Sequence, residues 1–489
     1  MKKILMGITA LALSCACLTA CGSYGGGFNG GVSAPDALDP DGNFGYDSVI
    51  EQDFSSVTEN DTSYFSLDRN TAGYSHVRYE IENGYKPAYD SVRIEEMINY
   101  FGYDYPTPAD GQTVSVSAYL SDCPWNSDNR LMLVGMKTVE YSLEAENANY
   151  VFLVDVSGSM FGDDRLGLAK QGLNMLVDEL GGGDLVSIVT YASGVDVLLD
   201  GGECDGRGKS KIKNAISKLN AYGYTYGSGG LEQAYKVAKK HFITGGNNRV
   251  VIITDGDFNV GINNTDELKE FIQDKAQSGI YLSVLGVGMG NMRDDIMNTL
   301  ATCGNGNYAY LDNITEARKV LVEELNGTLK TVAKDAKASV KFTDAVSQYR
   351  LIGYDTKLIS EDDFNNEKAD AGELGSNLCV SALYEIKLSD GADGKLADVE
   401  IRFKDVTGAE EKNSSAAAQV TISTPSSDDM RFVRCVAEFG LILRNSKYKG
   451  TASLKAVTGR LADLAHYTAT DPYKREFLSL VGKYSEIDK

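Results

Sequence analysis

Hydrophobic and polar positions change their period twice along the chain. Between residues 146 and 330, continuous apolar runs such as NYVFLVD, DLVSIVTYA, NRVVIITD and IYLSVLGVG alternate with amphipathic stretches such as RLGLAKQGLNMLVDEL and TDELKEFIQDKAQSG. Runs that are apolar on both faces indicate strands of a parallel sheet, and the stretches between them indicate helices. The pattern therefore predicts an α/β fold with a doubly wound, mostly parallel sheet in the centre of the chain.

The regions on both sides of this centre follow a period of two. The runs TVSVSAYL and RLMLVGMKTV precede the centre, and ASVKFTDAV, YRLIGYD, LCVSALYEIKL and ADVEIRF follow it. Such alternation is typical of half-buried strands. SVRIEEMINYFGY and three stretches after Ser427 instead predict helices. We expect β-rich flanks and a C-terminal helical region, with the hypothesis that residues 112–143 and 337–423 build one β-sandwich into which the α/β unit is inserted.

The first 60 residues predict export and a tether. Lys2 and Lys3 precede the apolar run 4–13, which is too short for a membrane span but fits a secretory signal. The sequence LTAC at residues 18–21 resembles the bacterial lipobox. This resemblance implies cleavage before Cys21 and lipidation of its thiol. The alternative is an uncleaved anchor. The Gly-, Ser- and Asn-rich segment that follows is typical of a flexible linker. The protein is therefore expected in the cell envelope, lipid-anchored outside the cytoplasm, at the cell surface or in the periplasm.

These patterns divide the chain into six expected segments. They are a lipoprotein signal peptide (1–20), a flexible tether (21–60), an N-terminal mixed α/β region (61–145), the central α/β domain (146–330), a β-rich domain (331–424) and a C-terminal helical region (425–489).

Composition narrows the classes of function. A formal net charge of −22 argues against nucleic acid as a partner and against direct binding to anionic lipid, because both need Lys and Arg clusters. Five cysteines remain after the signal region and Cys21 are set aside, and no CxxC pair occurs among them. Buried apolar cysteines are the simpler interpretation, although one disulfide could form outside the cytoplasm.

Oxygen-bearing side chains follow several predicted strands. Asp155 ends an apolar strand, and Ser157 and Ser159 lie in the turn after it. Thr225 lies in GYTYGSGG before a helix, and Asp255 ends the strand IITD. Ligands bind beyond the carboxyl ends of such strands, and a hard cation needs oxygen ligands. DxSxS alone is a weak signal, because Asp and Ser also cap helices.

Together these motifs resemble the metal-ion-dependent adhesion site of von Willebrand factor A (VWA) domains. The stretches SVRIEEMINYFGYDYP, TDGDFNVG, GNGNYAYLD and TVAKDAKASVKF also resemble bacterial VWA lipoproteins of the YfbK type, from about Tyr64 to near the C-terminus. This resemblance implies a domain of unknown function at the C-terminus and a bound Mg²⁺, with Mn²⁺ or Ca²⁺ as alternatives. It implies that Asp155, Ser157, Ser159 and Thr225 reach the metal directly or through water, and that Asp255 does so mostly through water.

The resemblance further implies a protein partner that offers an Asp or Glu carboxylate to the metal. An acidic protein can accept an acidic side chain there, because the bound ion sets the local sign of charge. Tyr224 and Tyr226 flank Thr225, and we expect them to contact the partner, because tyrosines are common at binding hot spots. A Tyr-rich chain that places them there by chance is the alternative.

Three functions remain open from the sequence. The first is a metal-dependent protein-binding module for adhesion or envelope assembly, without enzymatic activity. The second is a Mg²⁺-assisted hydrolase, for which Asp163 and Asp257 are the nearby candidate bases. The third is a chelatase-like partner of an ATPase, which the lipobox disfavours because the domain would face away from ATP. None of the histidines lies beside a nucleophile motif or in HExxH: His76, His241 and His466.

Overall fold

A computed structural model provides the structure of the protein. It describes residues 46, 48–67, 69–140, 147–223, 229–256, 265–288, 293–324, 331–367, 371–407 and 410–488, with the backbone alone at 265, 266 and 295. The expected signal peptide, Cys21, Tyr224, Thr225, Tyr226 and Asp257 lie outside the described residues. Within the described part of the chain, no helix is both long enough and apolar enough to cross a bilayer.

A six-stranded sheet forms the centre of the chain, in the order β10-β9-β8-β5-β6-β7. Its strands are β5 (Ala148–Asp155), β6 (Leu185–Tyr191), β7 (Val195–Glu203), β8 (Asn247–Thr254), β9 (Ile280–Val287) and β10 (Tyr308–Leu311). All neighbours are parallel except β6 and β7, which pair antiparallel. The four central strands are buried on both faces, as their apolar runs predicted.

Helices cover both faces of this sheet. They are α3 (Leu166–Glu179), α4 (Gly206–Lys218), α5 (Gly230–Lys240), α6 (Thr265–Gln277), α7 (Asp294–Cys303) and α8 (Ile314–Arg318), which continues as a π-helix over Lys319–Glu324. Phe152 and Val154 of β5 share a core with α3, α4 and α8. Val151 and Leu153 face the core that contains α5, α6 and α7. The structure confirms the predicted α/β class and its doubly wound sheet.

Two further sheets form a β-sandwich. One has the order β1-β12-β14-β4-β3, and the other has β13-β11-β15-β16 with β2 paired to β11. The strands are β1 (Ser55–Ser56), β2 (Thr62–Ser66), β3 (Val114–Asp122), β4 (Arg130–Thr138), β11 (Thr331–Phe342), β12 (Val346–Ile352), β13 (Gly372–Gly375), β14 (Cys379–Leu388), β15 (Lys395–Asp405) and β16 (Lys412–Thr421). Strands β3 and β4 precede the α/β unit but share a sheet with β12 and β14, which follow it.

A helical layer covers the outer face of the first of these sheets. Its helices are α2 (Ile94–Asn99), α10 (Asp428–Leu443), α11 (Leu454–Asp463), α12 (Ala465–Thr468) and α13 (Pro472–Ile487); a short α9 (Glu361–Asn365) lies elsewhere, beside β2 and β11. Leu131 and Leu133 of β4 join one core with Phe432 of α10 and Phe477 of α13. The expected C-terminal helices are therefore present.

Helix α1 (Ala72–Glu82) connects this layer to the α/β unit. Arg78 of α1 is fully buried and binds carboxylates from two other regions. Its Nη2 lies 2.5 Å from Oδ1 of Asp312 and 2.7 Å from Oε2 of Glu316, and its Nη1 lies 3.0 Å from Oε2 of Glu476 on α13. One guanidinium thus joins the α/β unit, α1 and the C-terminal helices.

Four of the described cysteines are free thiols: Cys123, Cys204, Cys379 and Cys435. Burial raises the pKa of the thiols of Cys123, Cys204 and Cys435 to about 12. These three therefore stay protonated and behave as apolar core residues.

Candidate metal centre

The carboxyl ends of β5 and β8 bring two acidic side chains to one edge of the sheet. Asp155 is the last residue of β5, and Asp255 directly follows the last residue of β8. The two strands are parallel neighbours, with Val154 opposite Ile253. Since parallel strands end at the same edge, Asp155 and Asp255 lie close enough for the charge of one to act on the other.

The turn after β5 places two hydroxyl groups beside Asp155. The backbone N–H of Ser157 donates to Oδ1 of Asp155 over 2.8 Å, and the Oγ atoms of Ser157 and Ser159 are 2.9 Å apart. Thr254 Oγ1 donates to Oδ2 of Asp155 over 3.4 Å. A 3-10 turn over Gly158–Met160 holds this arrangement. The structure therefore brings together Asp155, Ser157, Ser159 and Asp255, which we name the Asp155 cluster.

The loop that leads to Thr225 lies against this turn. Tyr222 N–H donates to the carbonyl of Val156 over 2.7 Å, and Gly158 N–H donates to the carbonyl of Gly223 over 3.1 Å. A Cβ at Gly158 would lie 3.1 Å from that same carbonyl oxygen, so the close approach favours glycine there. Thr225 itself lies outside the described residues, two positions beyond Gly223.

The carboxylates of the Asp155 cluster are buried. Asp155 is 0% exposed and Asp255 is 2% exposed. The pKa of Asp155 is raised to about 6, mainly by burial and also by the negative charge of Asp255, although hydrogen bonds from Ser157 oppose the rise. Two buried carboxylates disfavour each other's ionised form, so a positive charge between them would stabilise both.

The donor set fits a hard divalent cation. Oδ1 of Asp255 is buried and has no hydrogen-bond partner among the described residues. Carboxylate and hydroxyl oxygens are the ligands that Mg²⁺ prefers, and a buried carboxylate oxygen needs a donor or a cation. In the described part of the chain, no group of three or more His, Cys, Asp or Glu side chains could hold a metal. A metal at this edge would therefore depend on the serine hydroxyls as well.

Arg165 is a cluster neighbour that the sequence analysis missed. It precedes α3, donates from Nη1 to the carbonyl of Ser159, and lies 3.7 Å from Oδ2 of Asp255. Tyr191, at the end of β6 opposite Asp155, and Thr254 were missed as well. Thr254 could have been found, because it immediately precedes Asp255, but Arg165 has no spacing signal that distinguishes it from a surface arginine.

The sequence offered two candidate bases for the alternative of a hydrolase. Asp163 is exposed, and Asp257 is outside the described residues. Each histidine is engaged elsewhere: Tyr308 Oη and Nε2 of buried His76 are 3.5 Å apart, His241 pairs with Asp200 at 2.6 Å and His466 pairs with Asp428 at 2.8 Å.

Similarity to another protein decides the family. Over 465 residues the chain is 37% identical to the uncharacterized protein YfbK of Escherichia coli (strain K12), an alignment that covers 89% of this chain and 80% of that protein. The chain belongs to the YfbK family. Family profiles agree: von Willebrand factor matches residues 41–133, von Willebrand factor type A domain matches 150–257, and the C-terminal domain of uncharacterized protein YfbK matches 327–396 and 388–487.

Solved structures with VWA domains are also similar to this YfbK-family chain. A von Willebrand factor type A protein from Catenulispora acidiphila is 16% identical, with a TM-score of 0.41, over 75% of this chain and 90% of its own. The ArnB paralog VWA2 from Sulfolobus acidocaldarius is 16% identical, with a TM-score of 0.37, over 77% of this chain and 97% of its own. The family match confirms the resemblance that the sequence motifs predicted. The presence of a VWA domain supports a function as a protein-interaction or adhesion module.

Proposed function

We propose that this YfbK-family protein is a lipid-anchored, extracytoplasmic module that binds a protein partner through a divalent cation. The cation, Mg²⁺ in the first place, would be held by Asp155, Ser157, Ser159, Thr225 and Asp255. When bound, it supplies an electron-poor centre that accepts an oxygen from an Asp or Glu side chain of the partner. The anchor would be the lipidated thiol of Cys21, for which the lipobox sequence is the support.

The observation that carries this proposal is the Asp155 cluster itself. Two buried carboxylates and two serine hydroxyls converge at the ligand-binding edge of the sheet, and one buried oxygen of Asp255 has no partner among the described residues. A purely structural cluster of this kind leaves negative charge buried without full compensation, which is costly. A bound cation removes that cost and explains why hydroxyls accompany the acids.

Exposed aromatic side chains next to the Asp155 cluster favour a macromolecular partner. Phe161 is 81% exposed and follows the 3-10 turn, and Tyr222 is 57% exposed in the loop that contacts it. Aromatic side chains are enriched in protein–protein interfaces relative to the rest of the surface. Tyr224 and Tyr226 follow Tyr222 closely in the sequence, and we propose that they contact the partner as well.

Thermal unfolding with Mg²⁺ and with EDTA tests the metal. Saturating Mg²⁺ should stabilise the parent protein by about 3 kcal/mol at 100 times its Kd, and it should have no effect on Asp155→Asn. The matched control is Asp463→Asn, which removes an exposed carboxylate at the end of α11 and should respond like the parent. A parent protein whose unfolding temperature is the same in Mg²⁺ and EDTA would refute the metal site.

Capture of partners from envelope extracts tests the binding function. The protein should retain a partner in Mg²⁺ and release it in EDTA. Replacing Tyr224 and Tyr226 together by alanine should weaken retention while the Mg²⁺-dependent thermal shift persists. Unchanged affinity in that double variant for an identified partner would remove the tyrosines from the proposal and leave the metal untouched.

A further inference from the structure

Arg165 places a fixed positive charge beside the buried carboxylates. Its Nη1 donates to the backbone carbonyl of Ser159 and lies 3.7 Å from Oδ2 of Asp255. The guanidinium thus contacts the turn after β5 and the residue after β8 at the same time. Its side chain is 25% exposed, so it also reaches the surface at this edge.

The surrounding backbone is shaped to hold Arg165 in this place. Gly288 follows β9 with φ +69, and a Cβ there would lie 2.5 Å from Cγ and Nε of Arg165. Glycine is therefore required both by the backbone conformation and by the arginine stem that passes over it. Arg165 also directly precedes Leu166, the first residue of α3, which fixes its backbone.

The charge of Arg165 acts on whatever the Asp155 cluster binds. Asp255 is shared between the guanidinium and any cation held by the cluster. A divalent cation and a guanidinium repel each other, so Arg165 opposes metal binding. A carboxylate that arrives from outside carries the opposite sign and is attracted to both. The two positive centres are therefore easier to hold together when an anion is bound.

We propose that Arg165 makes metal binding and carboxylate binding depend on each other. Arg165 lowers the affinity of the Asp155 cluster for the metal alone. It also offers a second positive contact to an Asp or Glu side chain of the partner. The inference rests on the proposed function and deepens it. By linkage, a carboxylate that needs the metal must strengthen metal binding by the same factor.

Isothermal titration of the full chain with Mg²⁺ tests this coupling. One titration is run in sodium chloride and one in sodium acetate, which serves as the carboxylate probe. The two solutions have equal ionic strength, and both affinities are expressed in terms of free Mg²⁺. In the parent, acetate should tighten Mg²⁺ binding by about fivefold, at the lower end of ordinary coupling factors. In Arg165→Gln, Mg²⁺ should bind about fivefold more tightly in chloride, and acetate should add less than about twofold.

Two further variants separate charge from shape. Arg165→Lys keeps the charge and should bind Mg²⁺ in chloride as the parent does. Arg207→Gln removes an equal charge from the exposed start of α4. This helix begins after β7 ends, at the edge of the sheet that is far from Asp155. It should match the parent in both salts. Equal tightening in the Gln and Lys variants would show that bulk rather than charge matters and would overturn the inference.

The outcomes distinguish the inference from the proposed function. If Mg²⁺ does not bind the parent in either salt, the proposed function fails. If Mg²⁺ binds the parent but acetate does not change its affinity, the carboxylate contact of the proposed function fails as well. If acetate tightens Mg²⁺ binding equally in the parent and in Arg165→Gln, or if Arg165→Gln binds Mg²⁺ no more tightly in chloride, only the role of Arg165 fails. If Arg165→Gln does not fold, Arg165→Ala removes the same charge and has the same two expected results.

Discussion

His76 is fully buried where α1 meets the α/β unit, with Nδ1 3.8 Å from Oδ1 of Asp294. Its pKa is lowered from 6.5 to about 4, mainly by burial and also by the charge of Arg93, while Asp294 opposes the change. Between these two pKa values the folded protein binds fewer protons at His76 than the unfolded chain does. The stability due to neutral His76 is therefore present above pH 6.5 and lost as the pH falls towards 4.

The pH dependence of unfolding checks this assignment. Between pH 7 and 4.5, His76→Gln should lose less stability than the parent, by up to about 3 kcal/mol, because it lacks the proton that the unfolded parent gains. Urea unfolding at a series of pH values gives this difference. Equal slopes for the parent and His76→Gln would contradict the prediction.

At the same scale, the sequence motifs could place the acids and hydroxyls of the candidate site but not its positive charge. Asp155 and Asp255 end apolar strands, so both the strand pattern and the family resemblance point to them. Arg165 carries no such signal, because its role depends on the space above Gly288, more than a hundred positions away along the chain. Such a contact becomes visible only when the sheet is assembled.

At the scale of elements, Arg78 joins parts of the chain that are far apart in sequence. Replacing it by methionine should destabilise the protein by about 3–5 kcal/mol, because Asp312 and Glu316 would remain buried without their cation. Chemical unfolding measures the loss. The control is Arg130→Met, whose partner Asp122 is 90% exposed, and its effect should stay below about 1 kcal/mol. A similar loss in both variants would show that the buried network adds little.

Gly135 of β4 marks a second contact between elements. A Cβ there would lie 2.7 Å from ring atoms of Tyr105, which packs against the strand. Gly135→Ala should therefore cost about 1–3 kcal/mol through overpacking. Gly182→Ala, where no atom lies within 4 Å of the added Cβ, should change stability by less than about 0.5 kcal/mol. Thermal unfolding of the two variants compares them, and equal stabilities would refute the contact.

Two of the elements that the sequence patterns did not predict, α1 and β7, were missed for opposite reasons. Helix α1 is buried almost all round and includes the polar residues His76 and Arg78, so it lacks an apolar stripe. Strand β7 lies at the sheet edge without a single fully buried residue, so it lacks core alternation. The strands β5, β6, β8 and β9 were predictable because both of their faces are covered. Hydrophobic periodicity predicts elements that are buried on one side and strands that are buried on both faces. It does not predict a helix that is buried all round or a strand that is largely exposed.

At the scale of the whole molecule, the α/β unit depends on its neighbours for charge compensation. Arg93 pairs with Asp294, and Arg78 pairs with Asp312 and Glu316, across the boundary between α1–α2 and the α/β unit. An excised fragment of residues 147–324 lacks both arginines. It should unfold at a lower temperature than the full chain, as circular dichroism would show.

A pair of substitutions makes this dependence specific. Asp312→Asn with Glu316→Gln should destabilise the full chain, because Arg78 loses its partners, but should not destabilise the fragment, which has no Arg78. The comparison uses the same two side chains in both settings. Equal destabilisation in the fragment and the full chain would mean that these carboxylates serve the α/β unit alone.

The position of Asp155 at the end of β5 has a mechanical consequence. Strand β5 is hydrogen-bonded to β6 on one side and to β8 on the other, over most of its length. Its first residue, Ala148, lies at the edge where the chain arrives from β4 of the sandwich. A force applied at Asp155 and resisted at Ala148 acts along β5 and loads both rows of hydrogen bonds together. Hydrogen bonds that are sheared in parallel break at a higher force than bonds that open one after another. The edge of the sheet that contains Asp155 is therefore suited to bearing tension.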